Sequence, residues 1–271
     1  MLWGNHGRGD ERTTSRKGRA RPRKGPTRLL GGDSSVYPVL GGFERAAARY
    51  DLLVGLSPGY HGALTRSAAR LRVPDGGRGL RLLDVGCGTG ASTAALLRVA
   101  PHARIVAVDG SAAMLRRARR KNWPATVEFV HASLDELERI GVRGPFDGAL
   151  AGYLLRNLPE PERGVRLLRE LLAPGAPLAL HEFSVRGRPS ARLIWTVVCW
   201  TVIIPLGRAT TGPSGLYRYL WRSVLEFDSV PELVGRMRRN GFHDVRVGAM
   251  PGWQRGIVHT VLGSRPSLEQ A

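Results

Sequence analysis

Leu82-Leu83-Asp84-Val85-Gly86-Cys87-Gly88-Thr89-Gly90 decides how the rest of the chain is read. An apolar run that begins at Leu80 passes into three alternating glycines, and Ala91 to Val99 then reads as a helix. The apolar run suits a strand buried on both faces. The glycines let the backbone turn sharply and pass close to a ligand. The helix that follows points free N–H groups and its positive dipole end at that ligand. Asp109 closes the next apolar run, Arg104 to Asp109, where a carboxylate can accept both hydroxyls of a ribose. Loop and acid together predict a site for an adenosine-bearing cofactor at the C-terminal edge of a parallel sheet.

Two cofactor classes compete for it. Gly86, Gly88 and Ala91 also satisfy G-x-G-x-x-A, the dinucleotide fingerprint. Asp84 stands against that class, because an acid just before the glycines suits an ammonium group and not a pyrophosphate. S-adenosylmethionine (SAM) carries such a group and is the preferred cofactor. Asp84, Gly86, Gly88, Gly90, Asp109 and Gly110 are its candidate contacts.

Outward from the loop, strands and helices alternate. Helices are expected at Ala112 to Arg120 and Glu160 to Leu172, the second stopped by Pro174-Gly175. Strands are expected at Val127 to His131, Phe146 to Ala151 and Ala176 to Phe183. Beyond an apolar and aromatic segment come helices near Leu216 to Leu225 and Val230 to Asn240, the latter ending at Gly241. Phe242 to Val247 and Gly256 to Leu262 are the last strands, and residues 251–255 between them are too few for a crossover helix. The predicted fold is therefore α/β: a Rossmann-like, seven-stranded, mostly parallel sheet with an antiparallel C-terminal strand pair and helices on both faces. The antiparallel pair also disfavours a dehydrogenase. Ahead of the sheet, Phe43, Ala46, Ala47, Tyr50 and Leu53 recur at helical spacing, and a second helix is expected near His61 to Leu71.

Composition sets the outer limits. The 271 residues are 42% hydrophobic, enough for one sizeable core. The two cysteines, Cys87 and Cys199, give neither a disulfide framework nor a zinc spacing, so a reducing compartment and no metal are expected. The net charge of +19 favours anionic partners, a nucleic acid or a membrane surface. Residues 1–36, rich in Arg, Gly, Ser, Thr and Pro, are expected to form a disordered basic tail, and 266–271 a flexible C-terminus. No apolar leader segment is visible at the start. The longest apolar stretch, Leu193 to Leu206, is interrupted by Thr196, Thr201 and Pro205 and is expected to fall short of a membrane span of ~20 apolar residues.

Further blocks carry a resemblance. Tyr50-Asp51-Leu52-Leu53, Ser57-Pro58-Gly59-Tyr60-His61, Val108-Asp109-Gly110-Ser111-Ala112-Ala113-Met114-Leu115 and Phe146-Asp147 occur in that order. Leu155-Arg156-Asn157-Leu158, Leu172-Ala173-Pro174-Gly175-Ala176, Glu182-Phe183-Ser184 and Tyr217-Arg218-Tyr219-Leu220 with Ser223 follow, and Gly241-Phe242 and Gly256-Ile257-Val258-His259 close the series. From about residue 43 to 264 the chain resembles the class I methyltransferases that C-methylate ubiquinone and menaquinone precursors. Val54 departs from the family's usual Asn. Ser133 replaces the usual acid at the adenine amino group.

That resemblance implies SAM as cofactor, with Met114 and Ser133 added to its contacts, and a lipophilic quinol as acceptor. It implies one catalytic domain over 37–265, with 43–78 covering the site and 185–228 forming a lid. A quinol carbon becomes nucleophilic when a ring hydroxyl, of pKa ~10, loses its proton. Arg156 is the candidate cation for the resulting phenolate, and Asn157 the group that orients the ring or a water. His61, Tyr153 and His259 are candidates for the base or for ring contacts; Glu182, Tyr217 and Tyr219 are candidate substrate-lining residues. Trp195, Trp200 and their apolar neighbours, flanked by Arg188, Arg192 and Arg208, suit a wall for a prenyl tail or a helix resting on an anionic membrane. That predicts a cytoplasmic protein in peripheral contact with the inner face of the membrane, with no specific nucleic-acid partner. Other small aromatic or polyketide-like acceptors, methylated on carbon or oxygen, are the alternative. An RNA methyltransferase is disfavoured, because Cys87 sits in the cofactor loop, Cys199 in an apolar helix, and no Asp/Asn-Pro-Pro-aromatic block is present.

Overall fold

Strands built from continuous apolar runs form the centre of the molecule. The computed structural model describes residues 51, 59–211 and 215–267, without the side chains of 210 and 211. Parallel strands β1 (Arg81–Val85), β2 (Arg104–Asp109), β3 (Val127–His131), β4 (Gly148–Gly152) and β5 (Pro177–Phe183) are joined by crossovers. β6 (His243–Ala249) and β7 (Val258–Ser264) complete one sheet in the order β3-β2-β1-β4-β5-β7-β6. β7 runs antiparallel to both its neighbours, as the short 251–255 connection requires. The predicted fold class is the observed one.

Alternate residues of each strand feed two cores. Leu82, Ile105, Leu150 and Ala179 meet helices α1 (Tyr60–Ala69) and α2 (Ala91–Val99) on one face. Leu83, Val106, Ala149 and Leu178 meet α4 (Pro161–Leu171) and, from late in the chain, α8 (Val230–Arg239) on the other. The remaining helix of the first half, α3 (Ala112–Arg119), packs beside β3. Gly241, at φ +75°, ends α8 in the left-handed conformation that glycine adopts without strain.

The expectation for Leu193 to Leu206 is corrected. Helix α5 (Pro189–Val198), a π-turn (Cys199–Ile203) and α6 (Ile204–Thr211) follow one another without a break. Over Pro189–Ala209 this rod is long and apolar enough, with mean hydropathy 1.5 in its most apolar window, to cross a membrane by length and composition. The interruptions are absorbed locally. Thr201 returns its hydroxyl to the Val197 carbonyl, and Thr196 accepts from the Trp221 indole. The π-turn widens the helix just ahead of Pro205, which has no N–H to contribute. α7 (Leu216–Glu226) returns against the rod. The expected tail over 1–36, nearly all of the helix at Phe43 to Leu53, and residues 268–271 lie outside the described residues.

Candidate active site

The glycine loop is held by its neighbour strand. The amides of Gly86 and Cys87 both donate to the Val108 carbonyl, at 2.8 and 3.0 Å. The Gly88 amide donates to Asp109 Oδ2 at 2.8 Å, while Asp109 Oδ1 accepts from the Ser111 amide at 2.8 Å. Gly88 has φ +56° and open space where a side chain would begin. A cavity follows this edge of the sheet. Gly86, Gly88, Asp109, Gly110, Met114 and Ser133 line one end; Tyr60, Leu64, Tyr153, Arg156 and Asn157 line the other.

Asp84 lies behind the loop, fully buried. Its Oδ2 accepts from the hydroxyls of Ser92 (2.9 Å) and Thr93 (2.7 Å), and Oδ1 has no partner among the described residues. Burial pushes its carboxyl up to about 7, against the pull of the Thr93 and Ser92 hydroxyls. An orphaned buried carboxylate oxygen and a side-chain-free opening at Gly88 together suit a cofactor with an ammonium group and a ribose. Because the folded-state value lies above the ordinary 3.8, the proton on Asp84 stabilises the ligand-free fold at low pH, and that contribution is lost as pH rises through about 7. Thermal melts between about pH 5.5 and 8 should therefore fall more steeply for the ligand-free protein than for Asp84→Asn. Parallel slopes would mean that Asp84 titrates normally.

Gly90 is placed against Trp123. It is not among the cavity-lining residues; a Cβ there would stand 2.6 Å from the Trp123 ring, at φ +93°. Its lack of a side chain seats Trp123, whose Nε1 donates to the Ala118 carbonyl at 2.7 Å. Gly90→Ala is expected to destabilise the protein by about 1–3 kcal/mol through clash and backbone strain. Unchanged denaturant midpoints would refute that role. Thr89, one residue earlier, donates to Asp51 Oδ1 at 2.5 Å. Lys121 (3.0 Å) and Arg117 (3.6 Å) pair with the same carboxylate. Burial alone would raise Asp51, but the Thr89 and Lys121 hydrogen bonds and the two cations hold it below the usual range.

The acceptor end is built on the exit of β4. Tyr153 sits at φ +56°, a conformation uncommon outside glycine, and its amide donates to the His181 carbonyl at 2.7 Å. Its carbonyl accepts from Arg156 Nη1 (3.1 Å) and Asn157 Nδ2 (2.8 Å), which turns both side chains back on the same point. Arg156 also pairs with Glu182 at 2.8 Å, the two side chains being 5% and 1% exposed. Glu182 takes the Leu155 amide on its other oxygen. Burial raises the Glu182 carboxyl and Arg156 opposes that rise. Arg156 Nε is buried without a partner among the described residues.

Other candidates separate. Tyr153 is stacked between Tyr60 and Phe183, and its hydroxyl meets His181 Nε2 at 3.0 Å. Burial, with Arg70 and His259 nearby, takes His181 down to about 3, so it stays neutral. His61 is exposed and does not line the cavity; the preceding Tyr60 does. His259 is buried in β7 opposite Glu182, held down to about 4 by burial and Arg188, and also stands off the cavity lining. Glu182 serves Arg156 and is not itself a lining residue. Tyr217 packs against Gly207, where a Cβ would come within 2.3 Å of its ring. Tyr219 reaches Asn157 Oδ1 at 3.4 Å. Tyr60 and Leu64, four residues apart on one helix face, are among the lining residues that sequence reasoning missed.

Comparison with known proteins agrees with this geometry. A model of the ubiE/COQ5 methyltransferase family matches residues 33–263. The chain is 32% identical over 235 residues to a demethylmenaquinone methyltransferase of Clavibacter sepedonicus, covering 84% of this chain and 91% of that one. It is 33% identical over 225 residues to a demethylmenaquinone methyltransferase of Thermus thermophilus, covering 83% and 100%. Its fold is similar to that of the Haemonchus contortus phosphoethanolamine N-methyltransferase 2 in complex with SAM, with TM-score 0.60 at 15% identity over 87% of this chain and 61% of that one.

Proposed function

The chain belongs to the ubiE/COQ5 methyltransferase family, and from that membership we propose that it moves the methyl group of SAM to a ring carbon of a prenylated quinol, of the demethylmenaquinol type. It is a SAM-dependent methyltransferase. When bound, SAM supplies a methyl group made electrophilic by its sulfonium. Asp109, the Gly88 amide, Met114 and Ser133 hold the cofactor end of the cavity in this proposal, with Asp84 behind the loop.

The observation that carries the acceptor class is the Arg156–Asn157 pair at the far end of the same cavity, beside Tyr153 and Tyr60. Arg156 is too basic to remove a proton itself. The Arg156 guanidinium charge at the cavity wall stabilises a phenolate oxygen, which makes the neighbouring ring carbon nucleophilic. Water takes the proton, and Asn157, fixed by Tyr153 and Tyr219, orients the ring. Helix α1, through Tyr60 and Leu64, covers the acceptor. The lipophilic tail places the enzyme at the cytoplasmic face of the membrane, in peripheral contact with it.

Turnover on reduced and oxidised short-tailed demethylmenaquinone tests the acceptor. Methylation of the quinol alone is expected, since the oxidised ring has no hydroxyl to ionise. Turnover on soluble phenolic metabolites, with none on the quinol, would replace the acceptor class.

A further inference from the structure

The rod from Pro189 to Ala209 has one face in the core and another with nothing on it. Ala191, Trp195, Cys199, Ile204 and Gly207 form the buried stripe. The step from Cys199 to Ile204 is five residues where the preceding steps are four, and the π-turn supplies the extra residue that keeps the stripe facing inward. Leu193, Ile194, Val197, Trp200 and Val202 are between 44% and 64% exposed. Isolated exposed apolar side chains are ordinary, but five on successive turns of one helix form a patch.

The segment that carries the patch has charge of one sign. Between Glu182 and Glu226 the sequence has no acidic residue and six arginines: 186, 188, 192, 208, 218 and 222. Arg186 pairs with Glu232 and Arg222 with Glu226. Arg188, Arg192 and Arg208, at the two ends of the rod, are exposed and make no ion pair among the described residues. No charge lies between Arg192 and Arg208.

We propose that this face seats the protein on an anionic bilayer, with the rod lying in the interfacial plane. The five apolar side chains enter the acyl boundary, and the end arginines meet lipid phosphates. The inference rests on the lipophilic acceptor for its purpose and names the surface that reaches it. The rod lies along the membrane and does not cross it, because its buried stripe is committed to the protein: Trp195 Nε1 donates to the Trp221 carbonyl at 3.3 Å, and Gly207 receives the Tyr217 ring. A second copy of the chain offers no acid from this segment to meet the arginines. The series Trp195, Phe183, Tyr153, Tyr60, with successive ring centroids 4.6, 4.7 and 5.4 Å apart, joins the rod to the cavity wall.

Flotation of the full chain with vesicles of phosphatidylglycerol and phosphatidylcholine, and of phosphatidylcholine alone, tests this. Wild-type protein should float with the anionic vesicles and keep part of that binding at high salt, because apolar insertion is not screened. The double variant Leu193→Glu/Val197→Glu, and separately Trp200→Ala, should lose about tenfold or more in vesicle affinity. Both should keep wild-type SAM affinity and wild-type turnover of a short-tailed quinol in solution. Vesicle binding equal to wild type in these variants would overturn the proposal, as would complete loss of wild-type binding at high salt, which marks a purely electrostatic contact. A wild-type dimer in sedimentation that the double variant splits, without any vesicle binding, would assign the face to a second copy. Failure of wild type to methylate the short-tailed quinol, with vesicle binding as expected, would sink the acceptor and leave the docking surface standing.

Discussion

Asp109→Ala is expected to weaken SAM binding by about a hundredfold or more in isothermal titration calorimetry, while the fold survives. One carboxylate does three things. It fixes the Gly88 amide, it fixes Ser111, and in the proposed complex it accepts the ribose hydroxyls. Ser111 in turn caps α3 by accepting the Met114 amide at 3.2 Å, so the loss spreads to another lining residue. Hydrogen bonds to a charged group contribute about 1.5–3 kcal/mol each, and losing two accounts for the expected factor. Asp109→Asn keeps an acceptor without the charge and should fall between. Unchanged affinity in Asp109→Ala would place the cofactor elsewhere.

Arg156→Lys is expected to lower kcat by about 10²–10³ with SAM affinity unchanged, the range seen when one oriented donor to a developing oxyanion is removed. Lysine is the informative substitution because it keeps a positive charge beside Glu182. Arg156→Ala would strand a carboxylate that is 1% exposed and destabilise the fold by about 3–5 kcal/mol, confusing turnover with folding. Lysine cannot reproduce the planar fork that meets Glu182 and the Tyr153 carbonyl at once. Wild-type turnover in Arg156→Lys would reduce Arg156 to a partner for Glu182.

The sheet was legible because strands buried on both faces leave unbroken apolar runs, and Ile105 to Val108 needs no tertiary information to be seen. What the sequence concealed depends on docking direction. Tyr60 and His61 are neighbours on a helix, about 100° apart around its axis, and only the seating of α1 turns Tyr60 to the cavity. Gly90 reads as part of a cofactor loop, yet its constraint comes from Trp123, on a different segment. Pro205 reads as a helix stop, because nothing local announces that a π-turn ahead of it will carry the helix through. Glu182 and His259 share one face of the β5–β7 pair, away from the cavity lining, which strand position alone does not reveal.

The central claim is carbon methylation of a quinol ring, and the direct test is transfer of an isotopically labelled methyl group from SAM to reduced demethylmenaquinone in anionic liposomes. Mass spectrometry should find a product heavier by one labelled methyl, with fragmentation placing the label on a ring carbon. A label on oxygen, or no transfer by protein that still binds SAM, would contradict the claim.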